Sequence, residues 1–300
     1  MTRFWAIVHQ NPIRKGSTLT RTAIANEPRD EQVNTRLYER YREAVDTPLA
    51  WNDTLDTILA HRSVRAYLPA PLPLGTIELL VAAAQSAASS SNLQPWSVIA
   101  VEDPERKRRL SVLAGNQKHI VDAPLFLVWL VDLNRLQRIG EAEGKPALGL
   151  DYLESFVLGA VDTALAAQSA VVALESLRLG SVYIGGIRNR PAEVAAELGL
   201  PVNVFALFGL SVGWPDPDAP ASVKPRLPQQ AVLFRERYDK AAIADPIARY
   251  NSALRGFQAD QGLAPQDWTA IVAQRLRGAE ALHGRERLRE VLGNLGFKLD

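Results

Sequence analysis

Between residues 151 and 179 the chain runs almost entirely in alanine, leucine, valine and other apolar residues, so a helix drawn through it is apolar nearly all round. Such a helix must be covered on every side, which puts it at a domain centre or in an interface. A membrane span over residues 155–177 is the competing reading, but Asp162, Gln168 and Glu175 interrupt it, each costly in lipid. A buried helix of a globular domain fits better, and no membrane partner is expected.

The flanking sequence supplies elements to cover it. Residues 34–61 read as two helical segments, the second capped by Asn52 and Asp53 and carrying Leu55, Ile58 and Leu59 at helical spacing. Pro69, Pro71 and Pro73 then force an extended connector. Thr76 opens a helix whose apolar face is Ile77, Leu80, Val81 and Ala84. Strands are predicted over residues 96–101, 125–131, 181–184 and 204–212, the second apolar on both faces and hence central. A helix is predicted over 192–198, and two amphipathic helices after Lys240, split near 262–265. Helices and strands alternate without the period of a doubly wound sheet, which favours an α+β layered fold.

Composition narrows the chemistry. The chain has 300 residues, 47% of them hydrophobic, so it can bury a large core, and its net charge of +1 gives no global field for nucleic acid. With no cysteine, disulfides, thiolate zinc sites, iron–sulfur clusters and cysteine nucleophiles are excluded, and redox chemistry would need a bound cofactor. His9, His61, His119 and His283 lack metal-ligand spacing, so no metal site is expected. Residues 4–8 are too short an apolar run for a secretory signal. Arg3, Arg14, Lys15 and Arg21, with no acid before Glu27, match transit-peptide composition, but a plain arm is preferred and the expected location is the cytoplasm.

Four segments carry candidate chemistry. His61-Arg62-Ser63-Val64-Arg65 gathers three basic groups and a hydroxyl where a helix ends, which suits a phosphate or simply complements the helix dipole. Lys224-Pro225-Arg226-Leu227-Pro228 is a second basic segment, stiffened by proline, readable as a clamp or a solvated turn. Ser89-Ser90-Ser91 could bond the polar edge of a ligand or merely connect helix to strand. Tyr183-Ile184-Gly185-Gly186 could let backbone approach a flat ring, or form an ordinary turn. Residues 209–213 match the Gly-x-Ser-x-Gly elbow of hydrolases, but Trp214-Pro215 follows where a helix should start, so Ser211 is read as a strand residue. No Rossmann fingerprint or Walker loop is present.

Taken in order, these segments, with Gly-Asn-Gln-Lys-His at 115–119, Val-Asp-Thr-Ala at 161–164, residues 179–189 and Gly-Trp-Pro at 213–215, resemble the NADPH-dependent flavin reductase and major oxygen-insensitive nitroreductase group of the nitroreductase superfamily. The resemblance runs from about residue 53 to the end. It implies an α+β fold with a central, mostly antiparallel sheet flanked by helices, in an intertwined homodimer with FMN at the interface. The implied parts are an arm (1–50), an FMN-binding core (51–239) and a helical excursion (240–300) completing the dimer and substrate site.

The resemblance also implies that His61, Arg62, Ser63, Arg65, Lys224 and Arg226 hold the FMN phosphate and ribityl chain. Ser89, Ser90, Ser91 and Gln117 would meet ribityl and pyrimidine groups, and Tyr183, Ile184, Gly185 and Gly186 would lie beside the isoalloxazine. Arg188 and Asn189 would face NADPH or NADH. No side chain is assigned as catalytic, because FMN N5 carries a ping-pong hydride transfer to nitro-aromatics, quinones or flavins. Two alternatives share the motifs: a reductase supplying free reduced flavin, and a flavin-binding protein without turnover. The family's arginine-rich nucleotide loop is replaced here by residues 261–266, which contain no arginine, leaving Arg188, Arg255, Arg275 and Arg277 as candidates for a 2′-phosphate.

Overall fold

The computed structural model describes residues 27–44 and 49–300. The basic stretch before Glu27, including His9, lies outside the described residues. Among those described, strands β1 (Trp96–Val101), β2 (Leu125–Asp132), β3 (Gly180–Ile184) and β4 (Val204–Gly213) form one sheet in the order β1-β2-β4-β3. Every pairing is antiparallel. The helices in chain order are α1 (Glu27–Tyr41), α2 (Asp53–Leu59), α3 (Thr76–Gln85), α4 (Pro104–Leu113), α5 (Lys118–Asp122), α6 (Asn134–Ala142), α7 (Leu153–Ser176), α8 (Pro191–Leu198), α9 (Ala244–Asp260), α10 (Trp268–Arg275) and α11 (Leu288–Asn294).

Strand β2 is the spine. Its side chains alternate between two faces, as strand geometry requires. Leu125, Leu127 and Trp129 join Leu80 and Ala84 of α3 and Ala166, Ala170 and Leu174 of α7. Phe126, Val128 and Leu130 join Leu110 of α4, Ile120 of α5 and Val194 of α8. Both clusters are apolar and buried, which explains why β2 reads as apolar on both faces. Small residues let α7 approach closely: a Cβ on Gly159 would stand 2.7 Å from Val131 Cγ1.

One irregularity interrupts the pairing of β2 with β4. Trp129 pairs with Phe208 but Leu130 pairs with Ala206, so Leu207 is an extra residue in β4. The bulge switches β4 between faces, leaving Leu210 and Val212 against α7 while Val204 and Ala206 face α8. Ser211 lies fully buried within β4, consistent with its reading as a strand residue.

The long helix departs from expectation in one respect. Its residues Gly159, Asp162, Thr163, Ala166, Ala167, Ala170, Val171 and Leu174 are buried. Leu153, Val157, Val161 and Leu165, spaced four apart, are instead exposed, Val161 to 52%. Within one chain α7 is covered on one side only. The C-terminal segment returns to the sheet, where Leu292 and Phe297 pack with Val131 and Phe205.

Candidate functional site

The basic segment after α2 is drawn to the edge of the sheet. Ser63 forms a parallel bridge with Ser181 of β3, and the Val64 amide donates to the Ser181 carbonyl at 2.9 Å. Gly180 permits this approach, since a Cβ there would meet Val64 Cγ2 at 2.6 Å. Tyr67 seals the junction by donating its buried hydroxyl to the Val64 carbonyl at 2.7 Å and the Ser211 carbonyl at 3.2 Å. His61 is fixed from below, its Nδ1 lying 2.6 Å from Glu175 Oε1 at the end of α7.

A cavity of about 470 Å³ opens beside this segment, lined by His61, Arg62, Ser63, Arg65, Lys224 and Arg226 among others. The two basic segments that sequence left unconnected therefore share one site. Gln261 and Leu263 of the arginine-poor loop also line it, with Gln261 Oε1 accepting from Ser222 Oγ at 2.9 Å. A positive cavity walled by planar guanidinium groups is matched to a phosphate.

A second cavity of about 330 Å³ is lined by Gln117, His119, Tyr183, Ile184, Gly185, Gly186 and Asn189, with Arg65 lining both cavities. Its wall needs two glycines for different reasons. A Cβ on Gly186 would sit 2.3 Å from the Ala114 carbonyl oxygen, an impossible contact, whereas one on Gly185 would meet Arg188 Nη2 at 3.5 Å and Arg285 Nη1 at 3.8 Å, both ordinary contacts. Tyr183 stands edge-on to Phe208, ring centres 5.2 Å apart. Burial raises the Tyr183 phenol above its ordinary value, so it stays protonated. Burial, and then the charge of Arg65, hold the His119 imidazole below its ordinary value.

Four other expected residues sit differently. The Ser89–Ser91 turn lines neither cavity described above; Ser89 Oγ donates to Asp162 Oδ2 at 2.7 Å and the Ser90 amide to Asp162 Oδ1 at 3.3 Å. This places the turn beside the exposed stripe of α7. Arg188 turns inward and donates to the carbonyl of Leu207, the extra residue of the bulge, while Asn189 remains at the cavity wall. Of the remaining 2′-phosphate candidates, Arg255 pairs with Asp267 and Arg277 with Glu280, whereas Arg275 makes no ion pair among the described residues.

Sequence reading missed two residues. Arg285 lines the second cavity and donates from Nε to Asn189 Oδ1 at 2.9 Å. Burial, then Arg188 and Arg275, lower its pKa. Nothing local marks it. Arg40 of α1 reaches the backbone of both basic segments. Its signal was present, because Val33, Leu37 and Arg40 share one buried helical stripe.

The fold therefore presents two cavities that share Arg65, one walled by basic side chains and the other by Tyr183 and paired glycines. Residues 58–214 match the nitroreductase family and residues 224–300 its C-terminal domain. The chain belongs to the nitroreductase family. It is 36% identical over 234 residues to an NADPH-flavin oxidoreductase of Vibrio harveyi, covering 77% of this chain and 94% of that protein. It is 41% identical over 211 residues to an oxygen-insensitive NADPH nitroreductase of Salmonella typhimurium, covering 70% and 84%. The solved structure of the Vibrio harveyi NADPH:FMN oxidoreductase complexed with NAD+ superposes with a TM-score of 0.74 at 34% identity, covering 83% of this chain and all of that one.

Proposed function

We propose that this protein is an FMN-dependent NAD(P)H oxidoreductase that reduces nitro-aromatics, quinones or flavins as a homodimer in the cytoplasm. The observation that carries the reading is the pair of cavities meeting at Arg65, one basic and one with a glycine-lined wall. The donor set fits the cofactor: Arg62, Arg65, Lys224 and Arg226 match a phosphate, and the missing side chain of Gly185 leaves room for a ring. The relatives named above use NADPH and flavin or nitro acceptors by their names.

In this reading Arg62, Ser63, Arg65, Lys224 and Arg226 bind the phosphate end, with His61 held in place by Glu175. Gln117 and the Gly185 and Gly186 amides orient the pyrimidine and N5 edge, and Tyr183 walls the ring. Bound FMN supplies the two-electron chemistry between NAD(P)H and acceptor. The protein's part is orientation, exclusion of water and positive charge near the developing anion.

The homodimer supplies what one chain lacks. A second copy would cover the apolar stripe of α7 and bring its Ser89–Ser91 turn toward the first copy's cavities. The core at 51–239 then carries the FMN site. The 240–300 segment completes the substrate side, since His283 and Arg285 line the second cavity. Among the described residues, none of helix α1 lines that cavity.

The test is anaerobic. Purified protein should be yellow, should bleach on addition of NADPH or NADH, and should recover its colour when a nitro-aromatic, a quinone or free FMN is added. Absence of bound flavin after FMN loading overturns the cofactor reading. Bleaching without recovery by any acceptor overturns the reductase reading.

A further inference from the structure

Helix α1 lies outside the residues that match the family, which begin at 58, yet it bonds to the backbone of segments that line the basic cavity. Arg40 is only 6% exposed. Its Nη2 donates to the Leu59 carbonyl at 2.7 Å and the His61 carbonyl at 3.0 Å, and its Nη1 to the Lys224 carbonyl at 3.2 Å. Its own carbonyl accepts from the Arg226 amide at 2.8 Å. One residue therefore touches the backbone of both segments whose side chains line the cavity.

Arg40 makes no ion pair among the described residues, although it is the most buried arginine in the basic cluster. Burying a guanidinium whose hydrogen-bond partners are all carbonyls is costly, and Arg226 nearby raises the cost, against individually smaller offsets from Tyr41, Glu175 and Glu39. An anion in the adjoining cavity would offset the charges of Arg40 and Arg226 further. Only a guanidinium has the planar fork to span carbonyls from two chain segments at once.

We propose that Arg40 is a positioning residue that locks residues 59–61 and 224–226 into a single cradle for the phosphate of FMN, so that discrimination of FMN from riboflavin depends on the N-terminal extension. The inference rests on the FMN reading above. Riboflavin lacks the phosphate, so it has no group for the charges of the cradle to bind and keeps only its ribityl and ring contacts.

The experiment compares dissociation constants for FMN and riboflavin, by quenching of flavin fluorescence, in the full-length parent, Arg40→Ala and Arg40→Lys. Arg40→Ala should weaken FMN on the order of tenfold to a hundredfold and leave riboflavin unchanged, as expected for losing several hydrogen bonds from a charged group. Arg40→Lys keeps the charge without the fork and should recover part of the loss. Equal losses for both flavins would mark a merely structural role and overturn the proposal, as would unchanged affinity for both. If Arg40→Ala does not fold, the selective, smaller loss in Arg40→Lys decides the matter on the same criterion. A parent that binds neither flavin defeats the FMN reading itself, a result distinct from FMN and riboflavin falling together.

Discussion

Ser89 donates its hydroxyl to Asp162 at 2.7 Å, so the one carboxylate buried in the apolar helix α7 is what holds the serine turn in shape. The turn needs holding. Ser91, Asn92 and Gln94 all have positive φ, a region that costs non-glycine residues about 1–3 kcal/mol each unless surroundings impose it. Ser89 Oγ also accepts from the Gln94 amide at 2.8 Å, linking both ends of the turn. Asp162→Ala should lower unfolding free energy by roughly 2–4 kcal/mol in urea titration, because a hydroxyl and an amide lose their acceptor. It should weaken FMN and riboflavin together if, as proposed, the turn serves the sugar and pyrimidine side. A loss confined to FMN would contradict that assignment.

The paired glycines separate folding from binding. Gly186→Ala drives a Cβ into the backbone carbonyl of Ala114, where neither partner can yield cheaply. It should cost about 1–3 kcal/mol of stability and abolish flavin retention. Gly185→Ala meets only the guanidinium ends of Arg188 and Arg285 at ordinary contact distances, so thermal unfolding should be unchanged while flavin binding weakens. Equal thermal shifts in both variants would remove Gly185 from the ring-facing wall.

Arg188 and Arg275, both candidates for a 2′-phosphate by sequence, stand in different surroundings. The guanidinium of Arg188 satisfies the carbonyl of the bulged Leu207, and its burial lowers its pKa. Arg188→Leu should destabilise the fold by roughly 1–3 kcal/mol, because that carbonyl is left without a donor. It should not change the ratio of kcat/KM for NADPH and NADH. Arg275→Ala should lower that ratio without a stability change, as Arg275 makes no ion pair among the described residues and is close enough to Arg285 to lower its pKa. Steady-state kinetics with both nucleotides distinguishes the two.

How much of this was legible depends on whether the signal was local. Strand β1 was read to the residue, and β2 to within one, because apolar runs bounded by proline and aspartate mark them. Helix α4 escaped because polar residues occupy its inward face: buried Lys107 donates from Nζ to the Ala123 carbonyl and buried Ser111 to the Gln117 carbonyl. Without apolar periodicity there, no helical pattern appears. The bulge at Leu207 is equally silent, since β4 is apolar on both faces. In the site, the basic motifs could be found by residue type. Arg40 and Arg285 act on backbone and side-chain acceptors that only the tertiary fold assembles, and Arg188 was misdirected because its acceptor is created by the bulge.

His119 provides a pH test. Its folded pKa lies below the ordinary value of 6.5, held there by burial first and Arg65 second, with Asp122 acting the other way. The unfolded chain therefore binds the proton more readily. The stability associated with neutral His119 is present above pH 6.5 and is lost as pH falls through that value toward the folded pKa. In urea titrations across that range, the parent should lose stability on acidification faster than His119→Gln. Parallel curves would show that His119 contributes no such linkage.

The exposed stripe of α7 tests assembly. Leu153, Val157, Val161 and Leu165 lie on one side of a helix whose other side is fully packed, and solvent exposure of such a row is unfavourable. If two copies meet there, a charge in the middle of the stripe is buried without a partner, at a cost of several kcal/mol per ion. Val161→Glu should then be monomeric by light scattering at concentrations where the parent is dimeric. Its fold within one chain should persist, because Val161 contacts solvent there. The monomer should also lose flavin affinity, since the turn held by Asp162 could no longer reach the cavities of a second copy. A dimeric Val161→Glu variant with undiminished flavin binding would place the subunit contact elsewhere on the molecule.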